Sequence, residues 1–72
     1  MTKTIAHSLS AKARRAVKAY GEEACLKAYR MHYVDGYGSR GIAYECWHTI
    51  RTTRQASAAI DAGEELVNLS RA

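Results

Sequence analysis

The stretch GYGSRG, Gly36 to Gly41, decides how the chain folds. Its glycines stand in the Gly-x-Gly-x-x-Gly order of a loop that wraps a dinucleotide pyrophosphate between a first strand and a first helix. That use needs a parallel sheet and an acidic residue at the end of a second strand. Only residues 42–72 follow, and their apolar residues recur at helical spacing, which leaves no second strand. MHYV, residues 31–34, also falls inside a helical pattern. GYGSRG is therefore expected to be a turn between helices, with no cofactor. A smaller role survives, because consecutive amides at a helix start, with Arg40 beside them, can hold one phosphate group.

Upstream of the turn, Ser8 or Ser10 is placed to cap a helix that opens with AKARRAVKAY. Leu9, Ala13, Val17, Tyr20, Ala24, Ala28 and Met31 recur every three or four residues and share one face. Gly21 interrupts this stripe at a helix cost of about 1 kcal/mol relative to Ala, enough for a kink or a complete break. Beyond Gly21 a second stripe of Cys25, Leu26, Tyr29 and Tyr33 lies roughly opposite the first. A helix apolar on two sides wants two neighbours, and a second subunit can be one of them.

Downstream, Ser39 is placed to cap a helix whose stripe is Ile42, Cys46, Ile50, Thr53, Ser57 and Ile60, with Gly63 as its stop. GEELVNLSRA then forms a short final helix. Thr52-x-x-Gln55 is a capping-box pattern that would start a new helix near Thr53, whereas the absence of a Gly there and the unbroken stripe favour a continuous helix. Residues 39–62 are thus either one continuous helix or a helix-turn-helix. In the second case TRQASAAID resembles the opening of bacterial recognition helices, with Arg51, Arg54 and Gln55 facing a groove.

These readings predict an all-α protein, a single small domain over residues 1–72 with 1–8 flexible. Helices over 9–34 and 40–62 form an antiparallel hairpin with a short C-terminal helix. Ala13, Ala16, Ala56 and Ala59 allow close approach, and Trp47 adds bulk opposite Ala24. The chain has 72 residues, thirteen of them Ala, and only eleven Ile, Leu, Val or Phe. So thin a core favours dimerisation into a helical bundle. The alternative is a small helix-turn-helix domain.

No apolar run approaches the roughly 20 residues that span a bilayer. The start MTKTIAHSLS has no secretory pattern, and two cysteines without a disulfide framework point to a reducing, cytoplasmic setting. Lys3, Lys12, Arg14, Arg15 and Lys18 carry the cationic excess, with no acid in residues 1–20. A formal net charge of +4 concentrated in this way is the footprint of a protein that meets phosphates, although solubility alone also accounts for a few charges. Arg14, Arg15 and Lys18 cluster on the helix, whereas Lys12 lies apart.

Metal chemistry is not expected. Cys25 and His32 would sit about 10 Å apart along a helix, and Cys46 and His48 point to different sides. A Cys25–Cys46 disulfide is disfavoured because the two lie differently on their stripes. Nothing orders a base or an oxyanion hole beside either thiol, and the pairs Glu22–Glu23 and Glu64–Glu65 read as solvated surface. The chain is therefore expected not to be an enzyme.

The aromatics carry more information. There are five Tyr, one Trp and no Phe, so each aromatic ring has a polar handle suited to interfaces and stacking. Tyr29, Tyr33, Tyr37 and Tyr44 gather around the turn among Arg30, His32 and Arg40. Two function classes follow. A regulatory, nucleic-acid-binding protein, on DNA or RNA, would use Lys12, Arg14, Arg15, Lys18, Arg40, Arg51, Arg54 and Gln55. A protein-binding module or inhibitor acting on a host complex would use Tyr33, Tyr37, Tyr44 and Trp47 as anchors. In length and composition the chain resembles the small accessory proteins of plasmids and phages, such as the Kle-type proteins of broad-host-range plasmids. That resemblance implies a factor from a mobile element and assigns no residue a role.

Overall fold

The computed structural model describes residues 9–46 and 48–71. The expectations for residues 1–8, including Ser8 as a cap, and for Trp47 lie outside them. Among the described residues the chain forms helices only: α1 (Ala11–Tyr20), α2 (Glu22–Tyr33), α3 (Ser39–Glu45) and α4 (Thr53–Arg71).

Each boundary has a local cause. Ser10 is extended, and its hydroxyl accepts the Ala13 N–H at 3.1 Å, which makes it, of the two serines expected, the cap of α1. Gly21 makes the complete break. Its φ of +94° is a region that side-chain-bearing residues rarely adopt, and its N–H closes α1 on the Val17 carbonyl. The expected helix over 9–34 is therefore two helices. Glu22 and Glu23 occupy the first turn of α2, where the positive end of the helix dipole favours them.

Only the first half of GYGSRG, Gly36 to Gly38, lies in the turn between α2 and α3, and Ser39, Arg40 and Gly41 already form the first turn of α3. The Tyr37 N–H returns to the Met31 carbonyl at 2.9 Å, and His32 Nδ1 meets the Tyr37 carbonyl oxygen at 2.8 Å. Ser39 does not cap α3. Gly38 holds that position without a side-chain bond, and the Ser39 hydroxyl instead meets that of Ser57 at 3.1 Å, tying α3 to α4.

The continuous helix over 39–62 is replaced by two helices, α3 ending at Glu45 and α4 beginning at Thr53. The capping pattern forms with a shift: Thr52 Oγ1 accepts the Gln55 N–H at 3.1 Å, but Gln55 Oε1 accepts the N–H of Arg51, one residue before the cap, at 2.8 Å. Ile50, fully buried, anchors the turn in the core, so the apolar spacing ran on through a segment that is not helical. Replacing Thr52 by Ala should cost about 1 kcal/mol of stability, read as a lowered midpoint in thermal unfolding.

Gly63 does not stop the last helix, which runs on to Arg71. α4 is the central element, with the other three helices laid against it. α1 runs antiparallel to it, since Ser10 reaches Glu65 while Arg15 and Ala19 lie beside Arg54 and Ala58. α2 crosses it where Gly63 meets Cys25 and Tyr29. Seven of the fourteen buried apolar residues are Ala, including Ala13, Ala16, Ala56 and Ala59, so the helices approach closely as expected. Cys25, on the supposed second stripe, faces α4 of the same chain, because the break at Gly21 resets the helical phase.

Candidate functional site

α3 and the first turns of α4 are tied by the Ser39–Ser57 contact, and an open cleft of about 660 Å³ lies between α3 and the entry to α4. Arg40 and Tyr44 line it from α3, and Arg51 and Thr53 from the entry to α4, with Ala43 and Glu45 completing the wall. The capping box fixes the backbone that carries Arg51. Tyr44 is 78 % exposed and makes no ring contact among the described residues, so its face is open for stacking.

A second groove, of about 350 Å³, runs between α1 and α4. Lys12 and Arg15 line it from one side, Arg54 and Gln55 from the other. Thr53 and Arg54 are neighbours in α4, so the two depressions flank the same helix start. That start has no acid in its first turn, and its amides add the positive end of the helix dipole.

The structure thus regroups the cations expected from sequence. Lys12 joins Arg15 beside α4 because the two are three residues apart on α1. Arg14 and Lys18 are exposed and line neither depression. Gln55 reaches the groove, but its carbonyl oxygen is committed to the Arg51 N–H, which limits it as a reader of bases.

Glu65 was expected to be solvated, yet its two oxygens accept the Ser10 N–H at 2.9 Å and hydroxyl at 2.7 Å. With Asp61 and Glu64 it lines a separate, acidic groove that Lys12 also borders. Those acids partly offset the charge of Lys12, as Glu45 partly offsets Arg40 and Arg51 in the first cleft, whereas the groove that holds Arg15 and Arg54 is lined by no acid among the described residues. Glu45 in the first cleft was also missed, although its place next to Tyr44 in sequence was the available signal.

Tyr33 and Tyr37 are 55 % and 41 % exposed and line neither depression. Tyr33 leans on Tyr29, with ring centroids 4.9 Å apart, and meets the His32 ring edge-on. Val34, 72 % exposed, extends this apolar patch beyond what the aromatic count indicated.

Both cysteines are free thiols. Cys46 Sγ approaches Met31 Sδ at 3.9 Å, and Cys25 is fully buried. Burial, helped by the nearby Glu22 charge, pushes the Cys25 thiol up from 9.0 to about 11. A folded-state value above the unfolded one means that this group contributes stability below pH 9. That contribution is lost as the pH rises from about 9 to about 11. At pH 8, a thiol reagent should label Cys46 in the native protein and leave Cys25 untouched until denaturant is added, as peptide mass analysis would read.

No family model, curated protein or solved structure matches the chain. Among the described residues, no helix is long and apolar enough to cross a membrane.

Proposed function

We propose that this protein is a small, non-enzymatic, regulatory nucleic-acid-binding protein whose contact face is formed by α1, α3 and the start of α4. The supporting observation is the convergence of Lys12, Arg15, Arg40, Arg51 and Arg54, from three separate segments, on the two depressions that flank Thr53 and Arg54. A spread-out solubilising charge has no reason to collect around one helix start. Anionic backbone is the polymer that such a surface suits.

The mode differs from a recognition helix laid along a major groove. α3 ends at Glu45 and α4 begins at Thr53, a longer separation than the three or four residues of the DNA-binding motif, and α4 is buried along Ala56, Ala59, Ile60 and Gly63. Only its first turns are available. A cytoplasmic setting belongs to the same proposal, supported by two free thiols.

A second reading, a docking surface for a host protein, is favoured by Tyr33, Val34 and Tyr37, which expose apolar surface away from the cationic depressions. Fluorescence anisotropy with labelled duplex and single-stranded oligonucleotides at low salt separates the two. Binding that weakens steeply with salt supports the first. Absence of binding, together with nuclease-insensitive capture of a protein, supports the second.

A further inference from the structure

We propose that the cleft between α3 and the start of α4 is a pocket for one unpaired nucleotide, with the base stacked on Tyr44 and its phosphate held by Arg40 and Arg51. The inference rests on the nucleic-acid reading above and specifies the strandedness and base chemistry of the ligand.

Three observations carry it. The cleft, about 660 Å³, falls in the size range of small-ligand sites and is open along one side, as a polymer requires. Tyr44 offers an exposed aromatic face on a helix, held beside guanidinium groups from two different elements. A stacking ring flanked by cations suits single strands, whose bases are free to turn outward. In a duplex the bases are already stacked on one another.

The third observation is Glu45. A carboxylate in a cleft that served only phosphates would repel them. It has a use if the ligand also presents a hydrogen-bond donor, and exocyclic amines of bases are such donors. Cytosine, with its N4 amine, offers one to Glu45, whereas thymine and uracil present a carbonyl oxygen at the same position. The pocket therefore prefers cytosine to thymine or uracil.

The experiment measures anisotropy of labelled oligo-dC, oligo-dT and a mixed-sequence duplex, each about 12 nucleotides long, at low salt and slightly alkaline pH. Oligo-dC should bind roughly five- to tenfold more tightly than oligo-dT. Tyr44→Ala should weaken single-strand binding at least about fivefold and leave duplex binding unchanged, while Tyr44→Phe retains it. Glu45→Gln should bring oligo-dC and oligo-dT close together. Both side chains are exposed, so these variants should keep the wild-type helical circular dichroism.

Equal affinity for oligo-dC and oligo-dT in the wild type, or single-strand binding indifferent to Tyr44→Ala, overturns the pocket while leaving nucleic-acid binding intact. Failure to bind any of the three probes overturns the functional reading itself.

Discussion

Gly63→Ala should destabilise the protein by about 2 kcal/mol, lowering its unfolding midpoint by roughly 10 °C. On helix propensity alone the sign would be opposite, since Ala is favoured over Gly by about 1 kcal/mol inside a helix. Packing reverses it. A Cβ at Gly63 would lie 2.7 Å from Tyr29 Cβ and overlap the Cys25 carbonyl oxygen. A carbonyl in mid-helix cannot swing aside as a side-chain tip can, so α2 and α4 must separate where Cys25, Ala28 and Ala62 are fully buried. For a domain of this length, with a total stability of about 4–10 kcal/mol, the loss is a large fraction. Gly41→Ala is the matching control. Its Cβ would meet the Tyr37 side chain at 3.8 Å, an ordinary contact, so the substitution in α3 should be neutral or stabilising by up to about 1 kcal/mol. Thermal unfolding of both variants decides the matter. A rise in midpoint for Gly63→Ala would show that the helices do not cross so closely.

Replacing Arg15, Arg51 and Arg54 together by Gln should remove most of the salt dependence of nucleic-acid binding. If Lys12, Arg15, Arg40, Arg51 and Arg54 all neutralise phosphates, the logarithm of duplex affinity should fall against that of salt with a slope of about −4 to −5. On single strands it should be about −3.5. The triple substitution should reduce the duplex slope by about 2.7 and cost well over tenfold in affinity at low salt. Gln keeps the helix propensity of α1 and α4, and all three side chains are exposed, so the fold should be unaffected. Arg14→Gln with Lys18→Gln removes as much charge per residue from positions lining neither depression and should change the slope by less than one contact's worth, about 0.9. Equal losses from the two sets would move the interface to the outer face of α1. A salt-independent wild-type affinity would reject the electrostatic mode altogether.

The gap between the sequence grouping of Arg14, Arg15 and Lys18 and the structural one has a simple origin. Helical spacing shows which residues share a face of one helix, but not which face lies against a distant element. Lys12 and Arg15 acquire their position from Arg54, some forty residues away in sequence, once α1 is laid antiparallel on α4. The site was legible as a set of residue types and only partly as a constellation. Arg51, Arg54, Arg40 and Tyr44 could be picked out by charge and aromaticity, and Glu45 only by its place next to Tyr44, whereas the pairing of Glu65 with Ser10 left no signal in the sequence.

For the restart at Thr52 and Gln55 the sequence left two alternatives open, a new helix or a continuous one over 39–62. By itself it determined the helical class, the glycine turn after α2 and a serine cap for α1 at Ser8 or Ser10. Each depends on dihedral preferences or hydrogen bonds within a few residues, so the information is local. Gly63 shows what only the tertiary structure decided. By local chemistry it is a helix terminator, yet it lies in the interior of α4 because the missing side chain admits the backbone of α2. Ile50 is the counterpart, an apolar residue in helical register that plugs the core from a turn. In both cases burial of apolar surface against a remote segment outweighs a local preference of about 1 kcal/mol, and that segment is not encoded in the neighbouring residues.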